Sequence, residues 1–255
     1  MTDNTDPHIR RRTVLLGTGA TAAALTVGAT AASDLIGDKE PTGLDRAEPV
    51  AAAAVCTLTK ELTEGPYYLD GALVRADITE DKPGIPLDLV LTVVDDGTCA
   101  PIGDALVELW HSDALGEYSG FVGNNGHQEP DNGTFLRGGT LTGSDGVVRI
   151  STIYPGWYRG RAIHIHVKVH TDVTLTSNGS FSGGQELHTG QLFIAESITT
   201  AVARVSPYST NTVPRTSLAQ DGIYGNGGAA AGLMTVTGST TAGYTGSLTL
   251  GIDQG

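Results

Sequence analysis

The stretch "PGWYRGRAIHIHVKV", Pro155 to Val169, decides the fold class and frames the question of function. In an extended chain successive side chains point to opposite faces. From Ile163 onward, Ile163, Ile165, Val167 and Val169 therefore share one face, and His164 and His166 share the other. This is the alternation of a half-buried strand with its apolar side in a core. Pro155-Gly156 breaks the chain ahead of it, and Tyr158 and Arg161 lie six and three residues before His164.

The same alternation recurs in both directions. In "IPLDLVLTVVDDG", Leu87, Leu89, Leu91 and Val93 alternate with Asp88, Val90 and Thr92 before an Asp96-Gly97 turn. "ALVELWHSD" supplies the next strand, and "TGSDGVVRISTIYPG" gives an Asp-Gly turn followed by another. "GLMTVTG" and "GYTGSLTLGID" read as a closing hairpin. Short strands separated by turns predict an all-β, single-domain β-sandwich. The polar, glycine-rich segment "GEYSGFVGNNGHQEPDNGTFLRGGT" is longer than an ordinary connection, and such loops are often functional. Tyr118 stands at its start.

The chain has 255 residues, with 15 Lys and Arg against 28 Asp and Glu, for a net charge of −13. No basic stripe is available to neutralise phosphates, which argues against nucleic-acid binding. The amino-terminal portion differs from the rest. "IRRRTVLLGTGATAAALTVGATAAS" has arginines, then an apolar run from Val14 to Ala32, then small residues before Ser33. Adjacent Arg11 and Arg12 ahead of a mildly apolar segment predict a twin-arginine export signal over 1–32 and a secreted product. A linker rich in Ala, Pro and charge is expected over 33–54, and a folded domain over 55–255, with no membrane association once the signal is removed. The two cysteines, Cys56 and Cys99, are expected to form a disulfide outside the cytoplasm.

Tyr118, Tyr158, His164 and His166 together could form a four-ligand metal site with an open position. Phenolate is a hard donor that suits a ferric ion, and a bound cation stabilises the deprotonated form of a group whose free pKa is near 10. Zinc or copper would more typically bring three histidines, a cysteine or a carboxylate.

"PGWYRGRAIHIHVKV", "ELWHSDALGEYSGF" and "TEGPYY", in this order, resemble the intradiol ring-cleavage dioxygenases, non-haem Fe(III) enzymes that open catechols. The likeness runs from about Leu62 to about Phe193, and the small exported members of the family are the better match. It implies a prealbumin-like sandwich with Tyr118, Tyr158, His164 and His166 as iron ligands, Tyr158 being the ligand that leaves when substrate binds. It implies that Arg161 supports negative charge on the substrate. It further implies that Gln191 lines the catalytic pocket and that Pro66 and Tyr67 form its wall. Catechol and O2 would be the substrates and a cis,cis-muconate-type diacid the product, with no organic cofactor. The segment between Tyr158 and the histidines is shorter than in the protocatechuate enzymes, and no helical dimerisation domain precedes the body as in the catechol enzymes, so the oligomeric state is left open.

A competing reading is a non-catalytic prealbumin-like module, in which the Pro-Gly-x-Tyr turn is purely structural; the His-x-His pair is what such a module has no reason to carry. A cupin-type metal site would need a carboxylate shortly after the second histidine, and the next acidic residues are Asp172 and Glu186. His111, His127, His170 and His188 read as structural or surface residues.

Overall fold

The computed structural model describes residues 56–228 and 232–255. The expected export signal, the whole of the expected linker and residue 55 lie outside the described residues. Among the described residues there are ten strands: β1 (Pro86–Asp95), β2 (Leu106–Trp110), β3 (Arg137–Leu141), β4 (Val147–Ile153), β5 (His164–Thr171), β6 (Thr174–Leu175), β7 (Phe181–Ser182), β8 (Gln185–Phe193), β9 (Thr235–Ser239) and β10 (Gly243–Ile252). They form one sheet in the order β4-β1-β10-β9, a second in the order β3-β2-β5-β8, and a two-stranded hairpin β6-β7. The only α-helix among the described residues is α1 (Glu196–Val202). No helix of the described residues is long and apolar enough to cross a membrane.

The strand-rich architecture expected from the alternating patterns is observed. In β1, Leu87, Leu89, Leu91 and Val93 are all essentially buried. They meet Val148 and Ile150 from β4 and Leu250 and Ile252 from β10 in one apolar cluster. The second sheet contributes Val107 and Leu109 from β2, Ile165, Val167 and Val169 from β5 and Leu192 from β8 to that same cluster. Burial of this apolar area is the main favourable term holding the sheets together. The predicted carboxy-terminal hairpin forms as β9-β10. β10 also lies parallel to β1, which joins the last strand to the first. Cys56 and Cys99 are bonded to one another, as expected, and fasten the start of the described chain to the turn after β1.

One expectation is corrected. β5 is not half-exposed: every residue from His164 to His170 is buried, so both of its faces are covered. The cover over the histidine face is the segment before β1. Leu62 N donates to Thr189 O (2.9 Å), and Gln191 Nε2 donates to Thr63 O (2.8 Å). Gly65, at φ +77°, lets the backbone pass directly over His166, where a Cβ would stand 3.2 Å from the imidazole Cε1.

Candidate functional site

The strand register explains how the site is assembled. Arg137 pairs with Trp110, Trp110 with His166, and His166 with Gln191, so one cross-strand row runs over all four strands β3, β2, β5 and β8. Side chains opposite one another on neighbouring strands share a face. The Trp110 indole stacks on the His166 ring at 4.8 Å with an interplanar angle of 5°, fixing that imidazole from one side.

His164 sits two residues before His166 on that face. Its Nδ1 lies 2.7 Å from Ala162 O and must donate to it, which leaves Nε2 as a bare lone pair. That Nε2 is 3.1 Å from His166 Nε2 and 3.2 Å from the Tyr158 hydroxyl. Tyr158 comes from the irregular segment between β4 and β5 that Pro155-Gly156 begins.

Tyr118 is delivered by the long loop between β2 and β3. The Asp113 carboxylate accepts from Leu115 N and Glu117 N, which closes the turn. Gly116, at φ +87°, lies so close to the Tyr158 segment that a Cβ would stand 2.2 Å from Trp157 O. The buried Glu117 carboxylate then gathers the loop by accepting from Gly123 N, Asn125 N and His127 N. The Tyr118 ring lies 5.7 Å from that of Tyr158 and 6.1 Å from that of His166. Its hydroxyl is buried without a hydrogen-bond partner, and so is His166 Nδ1. The four side chains singled out from sequence are thus brought together.

The electrostatics of the four are consistent. Desolvation, reinforced by the Arg161 guanidinium, pushes the His164 imidazole down to about 3. Desolvation, then His164 itself, holds His166 well below the usual range. Burial pushes the Tyr158 phenol up to about 12 against the opposing pull of Arg161, and raises Tyr118 well above its ordinary value. Neutral imidazoles with convergent Nε2 atoms and phenols that cannot ionise unaided are what a cation would satisfy. Among the described residues no three His, Cys, Asp or Glu side chains come together as a metal site. The donor set here is two nitrogens and two phenol oxygens, which fits a hard trivalent ion.

Arg161 is held at the edge of the cluster. Its Nε donates to Asp221 Oδ2 (2.9 Å), its Nη2 to Gln191 Oε1 (2.5 Å), and Nη1 approaches His164 Nε2 at 3.5 Å. Asp221 also accepts from the backbone N–H of Ala162, Ile223 and Tyr224. Burial opposes its ionisation, yet the N–H groups of Tyr224 and Ala162 together with Arg161 hold its carboxyl below the usual range. Nothing local in the sequence marks Asp221, which lies 60 residues from the arginine it pairs with.

Tyr67 stacks on Tyr118 at 4.5 Å and meets Tyr158 edge-on at 5.8 Å. It lines, with Tyr118, Phe121, Asn125, Tyr158 and Arg159, a cavity of about 100 Å³ beside the two phenols. Pro66 is exposed and does not line that cavity. Gln191 is buried with both ends of its amide engaged, by Arg161 and by Thr63 O.

A solved structure of an intradiol ring-cleavage dioxygenase from Tetranychus urticae superposes with a TM-score of 0.68 at 33% identity, covering 78% of this chain and 95% of that one. The chain belongs to the intradiol ring-cleavage dioxygenases. The dioxygenase family Dioxygenase_C matches residues 63–177, which contain all four clustered side chains. Among curated intradiol relatives, catechol 1,2-dioxygenase 1 of Acinetobacter lwoffii is 36% identical over 120 residues, covering 45% of this chain and 35% of its own. The chlorocatechol 1,2-dioxygenase of Cupriavidus pinatubonensis is 31% identical over 147 residues, covering 48% of this chain and 54% of its own. The matched region thus spans about a third to a half of the length of these relatives.

Proposed function

We propose that this chain is a non-haem Fe(III) intradiol dioxygenase that inserts both atoms of O2 between the two hydroxyl-bearing carbons of a catechol, giving a cis,cis-muconate-type diacid. The observation that carries the reading is the approach of His166 Nε2 (3.1 Å) and the Tyr158 hydroxyl (3.2 Å) to His164 Nε2, with the buried Tyr118 hydroxyl beside them. Tyr118, Tyr158, His164 and His166 would hold the iron. When bound, ferric iron supplies Lewis acidity that favours the doubly deprotonated catechol and opens its ring to O2.

The remaining work falls to the chain's own side chains. Tyr158 lines the cavity and, as the phenolate it would be with a cation held beside it, is positioned to receive a catechol proton at Oη. Arg161, kept on station by Asp221 and Gln191, presents Nη1 beside His164, where it stabilises negative charge developing on the substrate. The contacts of Gln191 support a role in orienting Arg161. Tyr67 walls the cavity with its ring and excludes water, while the exposed Pro66 shapes the turn that carries it.

The joint apolar cluster between the two four-stranded sheets supports reading the body, 55–255, as a single prealbumin-like sandwich. Residues 1–32 are proposed to direct export by the twin-arginine route and 33–54 to serve as linker. The Cys56–Cys99 bond supports a compartment outside the reducing cytoplasm.

The test is oxygen uptake by purified iron-loaded protein with catechol. The account expects one O2 consumed per catechol and a diacid carrying both oxygen atoms from 18O2. Formation of a quinone, or of a product with label in one position only, would overturn it.

A further inference from the structure

Arg137 is the exception among the buried and half-buried cations of the described residues. Every other lysine or arginine of the described residues that is not exposed has a carboxylate within ion-pair distance: Arg75 with Glu80, Lys82 with Asp113 and Glu129, Arg161 with Asp221, Lys168 with Glu64 and Glu186, Arg215 with Glu196. Arg137 is 5% exposed and has none. Its Nε donates to Ser119 Oγ (2.7 Å) and its Nη2 to Ser119 O (2.8 Å), both neutral acceptors. Removing a charge from water without a counter-ion in contact is costly, and two neutral hydrogen bonds with the through-space pull of Glu108 and Asp131 do not fully offset that, since burial still holds the guanidinium below its ordinary pKa. The acidic groups in the neighbourhood are committed elsewhere. Asp131 accepts from Gly120 N and Gly133 N, and Glu108 Oε2 is paired with His170.

Arg137 borders a cavity of about 220 Å³ whose walls also include Leu69, Ala72, Leu73, Gly133, Thr134 and the exposed Asp70. This cavity shares no lining residue with the one beside the phenols. The rings of Tyr118 and Phe121, each 6.0 Å from the Arg137 guanidinium carbon, lie toward the phenol cavity. We propose that Arg137 and this cavity form an anion site that takes a small monocarboxylate with an apolar body. The guanidinium has N–H donors left for a planar carboxylate, and Leu69 and Leu73 offer apolar surface to the body. Asp70 discriminates against a second negative charge on the ligand. This site is independent of the ring-cleavage reading.

The test is calorimetric titration of the purified protein with benzoate, compared with phthalate, its dianionic analogue. Wild type should show one saturable benzoate site and bind phthalate more weakly. Asp70→Asn, at an exposed position outside the packed core, should tighten benzoate by about threefold, the scale of one surface charge interaction, and narrow the gap to phthalate. Arg137→Lys, which keeps the charge and loses the fork, should weaken benzoate by about tenfold. Saturating the protein with 4-nitrocatechol should leave benzoate binding unchanged. Absence of saturable benzoate binding in both wild type and Asp70→Asn would overturn the proposal. So would displacement of benzoate by 4-nitrocatechol, or an affinity that neither substitution moves.

Discussion

His164 Nε2 and His166 Nε2 face one another at 3.1 Å, and the hydrogen bond from His164 Nδ1 to Ala162 O ensures that the His164 nitrogen arrives without a proton. Two imidazoles whose burial disfavours protonation are held with donor atoms converging, so the strand and its cover pre-form half of a coordination shell. His164→Gln should therefore abolish stoichiometric iron retention, below a tenth of wild type by elemental analysis, while the circular dichroism of the sheets is kept.

The two tyrosines should fail differently. Tyr118→Phe removes a buried donor proposed to stay bound throughout, so iron content and visible colour should both fall. Tyr158→Phe removes the phenol at the cavity edge, proposed to give way to substrate and take its proton. There iron and part of the colour should survive while kcat for catechol falls by more than tenfold. Elemental analysis, visible absorption and oxygen uptake on the same samples separate the two outcomes.

Asp221 should behave as the anchor of Arg161. Asp221→Ala strips a buried carboxylate from Arg161 and from three backbone N–H groups, and is expected to cost roughly 3 kcal/mol of stability. Urea denaturation measures that loss. Iron content should stay at the wild-type level while turnover falls, as it should in Arg161→Ala. Loss of iron in Arg161→Ala would place the guanidinium in a different role from the one assigned.

Much of this was legible in the sequence, and what was not has a common cause. β1, β2, β4 and β5 declare themselves because their apolar residues alternate. β3, "RGGTL", carries two glycines and almost no apolar pattern, and β8, "QELHTGQLF", mixes polar residues onto both faces, so neither announces a strand. The tyrosines and histidines stood out as residue types with metal chemistry at suggestive spacing. Asp221, Thr63 and Trp110 act at the site only through pairings made by the fold, and no local pattern encodes those pairings. The burial of the histidine face likewise depends on the segment around Gly65, roughly a hundred residues earlier in the chain.

Acid should destabilise the fold through His111. Its ring is buried between Ser112 O and Thr152 Oγ1, and desolvation lowers its pKa to about 4 from an unfolded value near 6.5. Between those two values the unfolded chain binds more protons than the folded one. Stability is thus fully present above about pH 6.5 and declines as pH falls toward 4, by roughly 3 kcal/mol for this group. Urea midpoints measured from pH 7.5 to 4.5 should fall accordingly, and His111→Gln should make the slope shallower by one group's share, the rest coming from His164, His166 and His188, which burial depresses in the same way. An unchanged slope in the variant would remove His111 as the cause.

Reduction of the Cys56–Cys99 bond should lower stability by up to about 4 kcal/mol on the chain-entropy model for a loop of this length. Iron content and turnover should be unaffected at temperatures where the reduced protein stays folded, because neither cysteine is among the four proposed iron donors. A thiol titration of the purified protein under denaturing, non-reducing conditions should find no free thiol.

The most direct measurement is the visible spectrum of purified protein alongside its iron content, in wild type and in Tyr118→Phe. If two phenols and two imidazoles hold Fe(III), protein with one iron per chain is reddish from tyrosinate-to-iron charge transfer, and the band collapses in the variant. Iron-replete wild type without such a band, or a band that Tyr118→Phe leaves untouched, would contradict the assignment of the site.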